Sequence, residues 1–541
     1  MKKALLFFWL SAVTMANAQS PSIVKNINPG SNFGNPYGFF CFDNLVLFVA
    51  DDGTHGYELW KTDGTTAGTT MVMDIYAGST TGNPYSLTRM GNAVYFIAND
   101  GTHGYELWKT DGTASGTQMV KDIHPSGSGL STGGMVVLNN KLFFLADDNV
   151  NGQELWWSDG TTSGTTIFKD INPSGSSYPG YFALSPGGDK FYFAASDGVN
   201  GTEPWVSDGT TVGTTMLANI EAGADGSYPS LFFNYNGKTL FSAYTASLGT
   251  ELYITDGTTS GTMMLMDIQS GLNGSSPSGF SIFKNKVFFI ANDGVTGYEL
   301  WSTDGTTSGT AIFKNIYPGS TGSYPGFLNV IGPNKAVFSA TDDTHNNEIW
   351  VTDGTVVGTT LLVDINPGTG IGVYQSLLPT QSKVYFAGND GTNGTEMWES
   401  DGTVSGTKML LPQIGASTAS GSPSYYTLCG SRIFLSAIEP TTGQELWMVD
   451  NAVGTGVQTL NIGKVNVLPN PSNNGAFTVA AELESANAVI RVTDLSGREI
   501  YRATEDKSVF QHAIQMQAEP GVYLVSVENT TGKNITKVIV Q

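Results

Sequence analysis

The stretch "DGTHGYELWKTDGT" runs from Asp52 to Thr65 and recurs letter for letter from Asp100 to Thr113. Sliding it along the chain finds E-L-W-x-x-D-G-T-x-x-G-T nine times. The aromatic position is filled by Trp60, Trp108, Trp156, Trp205, Tyr253, Trp301, Trp350, Trp398 and Trp447, at intervals of 48 or 49 residues. Eight of the ten tryptophans belong to this one site, and the ninth copy degenerates to "NAVGT" after Asp450. Self-similarity at this period means that each copy is one supersecondary unit that buries its apolar surface against its neighbours.

Each unit reads as four short strands. In the second copy "YSLTRM" (85–90) alternates, and "AVYFIA" (93–98) is a continuous apolar run suited to a strand covered on both faces. "NDGTHG" supplies a turn through Asp-Gly, "YELWKT" a third strand, "DGTASGT" a second turn and "QMVKDI" a fourth strand. No segment keeps a 3.6-residue period between its glycines, which excludes a helical repeat. The expected fold is all-β: a β-propeller of eight or nine four-stranded blades over 19–463, followed by a small β-sandwich over 464–541. "SIVKNINPG" (22–30) matches the fourth-strand segment of other units, such as "IFKDINPSG" (167–175), so a displaced last strand could close the ring. The ninth unit carries a candidate of its own in "VQTLNIG" (457–463), which leaves the count one too many. Cys41 and Cys429 fall in the first strands of units one and nine. They are offset by one residue when aligned on Ala50 and Ala437, and a one-residue shift reverses the face of a strand, which counts against a disulfide.

Composition narrows function by exclusion. The formal charge of −22, with no Lys/Arg cluster, argues against nucleic acid and anionic membrane surfaces as partners. Lys2 and Lys3, the apolar run "ALLFFWLSAV" and Ala16-x-Ala18 form a secretory signal pattern over 1–18 with cleavage after Ala18. No later segment approaches transmembrane length, so none is expected once the signal is removed.

The repeated residues first explain structure: the indole fills space between sheets, and the aspartates of the D-G-T turns accept backbone N–H groups. Calcium could use acid-rich turns such as "ADDGTHGYE" (50–58), but these lack an alternating D-x-D-x-D ligand series, so no cofactor is expected. His55, His103 and His345 share one turn position in units one, two and seven, too dispersed to meet at a metal. No acid, His, Ser or Cys breaks the repeat register in a catalytic context, so no enzyme is expected. The candidate ligand-binding residues are tyrosines beside prolines in the connections between units: Tyr37, Tyr85, Tyr178, Tyr228 and Tyr324. On one face of a propeller they would form a partial crown suited to stacking on sugar or contacting protein, or else pack beneath their own turns.

Beyond residue 464 the repeat stops. "LPNP" followed by "GAFTV", then "VTDLSGR" and "GVYLVSV" with "KVIV", resembles the type A C-terminal sorting domain of the bacterial type IX secretion system. That resemblance implies the type IX machinery as a partner, Bacteroidota-type export across the outer membrane, and release from or display on a Gram-negative cell surface. The repeats likewise resemble the ELWxxDGT repeat family, which implies no activity. The expected function is binding or adhesion to a glycan or protein. A polysaccharide-acting enzyme with acids gathered from several blades, and a purely structural surface component, stand as alternatives.

Overall fold

The computed structural model describes residues 20–450, apart from 31, 132–133, 375–376 and 416–417. It also describes 463–468, 476–483, 488–494, 499–507, 509–516, 521–529 and 532–540. The signal segment and Ala18 lie outside the described residues. The chain divides into two compact units, Met1–Val453 and Gly454–Gln541. Among the described residues there is no helix, and none is therefore long and apolar enough to cross a membrane.

The first unit is a propeller-like succession of nine four-stranded antiparallel sheets. Sheet one comprises Tyr37–Phe42, Leu45–Asp51, Tyr57–Thr62 and Thr70–Met73; sheet two comprises Tyr85–Met90, Ala93–Asn99, Tyr105–Thr110 and Gln118–Lys121. Strand order follows the chain in each of the first eight sheets. The apolar run is the second strand, and its five central residues are buried because a sheet packs on either side of it. Its register against the third strand repeats with little variation: Phe96 faces Trp108 and Ala98 faces Glu106, just as Phe48 faces Trp60 and Ala50 faces Glu58. A small residue opposite each glutamate leaves room for a buried carboxylate.

Sheet nine differs in one strand. Ser424–Cys429, Arg432–Glu439 and Gly443–Val449 are joined at the outer edge by Pro21–Lys25, from the opposite end of the repeat region, with Ile23 opposite Trp447. The excess strand foreseen at 457–463 is therefore not needed. Residues 457–462 lie outside the described residues, and Gly463 opens a strand of the second unit.

The apolar clusters each join consecutive sheets. Phe42, Leu47 and Val72 of sheet one pack with Val94, Phe96 and Trp108 of sheet two. In the same way Val24, Phe434 and Leu446 of sheet nine pack with Val46, Phe48 and Trp60 of sheet one. Burying each such side chain contributes about 1.5–3 kcal/mol. Cys41 and Cys429 form a disulfide with their Cα atoms 5.3 Å apart. This corrects the register argument made from sequence: stacked sheets present opposite faces to one another, so the one-residue offset that reverses a strand's face is what directs the two thiols together.

The second unit has a three-stranded sheet (Gly463–Leu468, Ala476–Leu483, Val509–Gln515) and a four-stranded one ordered Glu499–Glu505, Ala488–Asp494, Gly521–Asn529, Gly532–Val540. Phe477, Val479 and Ile514 from the first sheet share one core with Ile490, Val492, Val525 and Val527 from the second.

Candidate functional site

The glutamate of each E-L-W is an internal fastener. Glu106 accepts the N–H groups of Ile123 (3.0 Å), His124 (3.2 Å) and Gly129 (2.9 Å), which tie the connection to the next unit back onto its own third strand. In sheet nine Glu445 takes the equivalent bonds from Ile27 (2.7 Å), Asn28 and Gly34 (both 3.2 Å), over 400 residues away in the chain. Burial pushes Glu58, Glu106, Glu348 and Glu445 up to about 7, against the pull of these N–H donors. Four units place serine where others have glycine, and its hydroxyl adds a bond, as from Ser177 to Glu154 at 2.6 Å. All nine glutamates are buried, and their acceptor capacity is spent on the fold.

The D-G-T-x-x-G-T turns are equally self-contained. Asp111 Oδ1 accepts from Thr113 N (2.8 Å) and Thr113 Oγ1 (2.7 Å), and these bonds hold its carboxyl below the ordinary range. Thr113 Oγ1 in turn accepts from Gly116 N, where a Cβ would collide with the Asp111 carboxylate. The other acid-rich turns follow the same logic. Asp52 Oδ1 accepts from Thr54 N and His55 N (both 2.9 Å), while its Oδ2 lies 2.8 Å from His55 Nδ1. Burial opposes ionisation of Asp52, but the bonds from His55 and Thr54 outweigh it and lower its pKa. Among the described residues no group of three His, Cys, Asp or Glu is arranged to hold a metal ion.

The proline-flanked tyrosines separate into two positions. Tyr178, Tyr228 and Tyr324 precede the proline, are 60–62% exposed, and have φ of 50°, 47° and 45°. Asn35, Asn83, Ser276 and Ser422 occupy the same position with the same left-handed backbone, which asparagine tolerates far better than an aromatic residue. Tyr37 and Tyr85 follow the proline and are half-buried. Tyr37 donates to Asn83 Oδ1 at 2.7 Å and lies 5.7 Å from the Tyr57 ring; Tyr85 lies 5.7 Å from Tyr105. Burial pushes both phenols up to about 12.

Apart from sheets six and seven, the first strands of consecutive sheets run side by side, the ninth beside the first. In sheets seven and eight this strand shrinks to Asn329–Val330 and Leu378–Pro379, against six residues in sheets one, two, five, six and nine. A hollow of about 660 Å³ opens there, lined by Ile290, Pro325, Phe327, Tyr374, Leu377, Leu378, Tyr425 and Tyr426, with Ser339 and Asn347 as polar groups. Tyr425 stands 6.2 Å from Tyr37, and Tyr324 is joined to Pro325 on the rim. Tyr178 and Tyr228 belong to equivalent connections further along the unit. The sequence reading missed Phe327, Tyr374 and Tyr425. Aligning units on the proline would have found two of them, because the residue two places after it is Gly38, Ser86, Tyr181, Leu231, Gly279, Phe327 and Tyr425 in turn.

Residues 466–541 match the family described as secretion system C-terminal sorting domain. This supports type IX export to the cell surface and interaction with that machinery. No curated protein matches the chain. Among solved structures, PorZ, an essential bacterial surface component of the type-IX secretion system of Porphyromonas gingivalis, is 14% identical. The match covers 93% of this chain and 75% of that one, with a TM-score of 0.35. A puromycin hydrolase is 14% identical over 70% of this chain and 60% of its own, with a TM-score of 0.34. Prolyl oligopeptidase B from Galerina marginata is 9% identical over 70% and 56%, with a TM-score of 0.37. The chain thus spans less than two thirds of the length of either of these last two.

Proposed function

We propose that the first unit is a closed nine-bladed propeller of the ELWxxDGT type, carried to the cell surface by its sorting domain, and that it binds a ligand at its tyrosine-bearing end without chemical turnover. The ring reading is supported by the strand Pro21–Lys25 completing sheet nine, by the Cys41–Cys429 bond, and by Arg432 donating to Asp63 O of sheet one at 2.8 Å. The observation that carries the binding reading is the aromatic hollow, an apolar concavity with a few convergent polar groups. Among the described residues its lining has tyrosine as its sole titratable side chain, which favours binding over acid–base or nucleophilic catalysis. Keeping tyrosine at 178, 228 and 324, where the backbone suits asparagine, adds weight to a surface role for those rings. Exposed tyrosines stack on sugars and pack on proteins alike. A glycan array with and without chelator tests the first partner class and a surface-protein pull-down the second. Binding in either that is lost on Phe327→Ala with Tyr425→Ala supports the reading. Blank results in both would leave a structural surface role.

A further inference from the structure

The hollow sits at one end of the sheets, and the two ends differ sharply in charge. Turns between second and third strands share this end with the connections between units. Asn99 N donates to Gly82 O, Asp147 N to Gly129 O, and Asn389 N to Gly372 O, with counterparts around the unit. Between the strand ends, these turns and connections together contain 15 Asp and Glu and no Lys or Arg. The cations stand at the other end. Lys141, Lys190, Lys238, Lys335 and Arg432 lie at turns between first and second strands. The strand lysines reach the D-G-T turns: Lys61 to Gly112 O (2.8 Å), Lys109 to Gly160 O (2.8 Å) and Lys121 to Thr165 O (2.7 Å). Turn carboxylates at this end are held below their ordinary range, because turn N–H groups lower Asp100, Asp197 and Asp390 despite burial.

Resting on the binding reading above, we infer that the hollow takes a Lys/Arg-rich polypeptide segment, one cationic side chain entering among the rings of Phe327, Tyr374 and Tyr425 while its neighbours face the carboxylates around the rim. Aromatic faces attract Lys and Arg heads through their quadrupole, and turns and connections without Lys or Arg, whose turn histidines His55, His103 and His345 are each paired with a turn aspartate, offer little repulsion to such a partner. A neutral glycan would meet the carboxylates only as hydrogen-bond acceptors for its hydroxyls, without the charge attraction a cationic segment gains. Anionic glycans, nucleic acids and anionic lipids would be repelled.

The test uses the full chain and three labelled peptides of about twelve residues. They share one apolar content and carry about six Lys/Arg, none, or about six Glu, and binding is read by fluorescence polarisation. The cationic peptide is expected to bind roughly tenfold tighter than the neutral one, and to weaken roughly fivefold or more between about 50 and about 300 mM salt. Phe327→Ala with Tyr425→Ala, and Asp225→Lys with Asp343→Lys, should each weaken it roughly fivefold. Asp189→Lys, at the opposite end, should not. All five positions are exposed, so these variants keep the fold. Equal binding of neutral and cationic peptides, or cationic binding that survives Phe327→Ala with Tyr425→Ala, overturns the inference. Sugar binding that needs Phe327 and Tyr425, without cationic-peptide binding, overturns the inference alone. Failure of every probe overturns the binding reading with it.

Discussion

Replacing Glu106 by glutamine isolates what the buried carboxylate contributes. Its two oxygens accept three N–H groups, from Ile123, His124 and Gly129, so an amide of the same shape must turn its NH2 towards at least one donor. Leaving a buried donor unsatisfied costs about 1–3 kcal/mol. The cost should depend on pH, with a sign set by burial. Glu106 has a folded-state pKa of about 7 against an ordinary 4.5, so the folded protein holds this proton more tightly than the unfolded chain. The stability that follows is fully present below about 4.5 and is lost as pH rises through about 7, a swing of about 3 kcal/mol. Glutamine cannot titrate. Denaturant unfolding of wild type and Glu106→Gln should therefore show a gap of about 1–3 kcal/mol at pH 8 that widens by about 2–3 kcal/mol at pH 5. A gap that is constant, or that grows as pH rises, would refute the reasoning and mean that the three N–H donors keep the carboxylate ionised throughout.

Glu106→Ala strands all three donors and should cost about 3 kcal/mol or more, measured in the same assay at pH 8. Across the whole chain, stability should peak near about pH 5. The buried glutamates lose their contribution above it, while Asp63, Asp111 and the other D-G-T aspartates, held low by their threonines, lose theirs as pH falls below about 4. Melting curves from about pH 3 to 9 that rise monotonically would contradict this. Cys41→Ser should lower the melting temperature, because the disulfide closes a 388-residue separation, and the chain-entropy model gives about 5 kcal/mol for long loops. Alkylation of two thiols under denaturing, non-reducing conditions would remove its basis. Tyr228→Asn should leave stability unchanged or raise it by up to about 1 kcal/mol, since asparagine suits φ of 47°, while weakening ligand binding. A clear loss of stability would show that the ring packs where its exposure says it does not.

The four-strand unit could be read directly because its signals are local: period-two alternation, the continuous run of a two-sided strand, and Asp-Gly turns all act within a few residues. The second sheet pair could be read for the same reason. The E-L-W glutamate could not, since its partners lie 17–23 residues downstream in unit two and over 400 residues upstream in unit nine. Nor could the grouping of Phe327, Tyr374 and Tyr425, which depends on two first strands shrinking to two residues.

By itself the sequence determined the repeat, its strands and turns, and the sorting tail, because hydrophobic period and turn chemistry are properties of short stretches of chain. Tertiary structure decided the rest. Whether Pro21–Lys25 completes the ninth sheet, which faces the two cysteines turn to each other, and which aromatic residues meet around one hollow all follow from how sheets stack, and stacking joins residues that chain distance keeps apart.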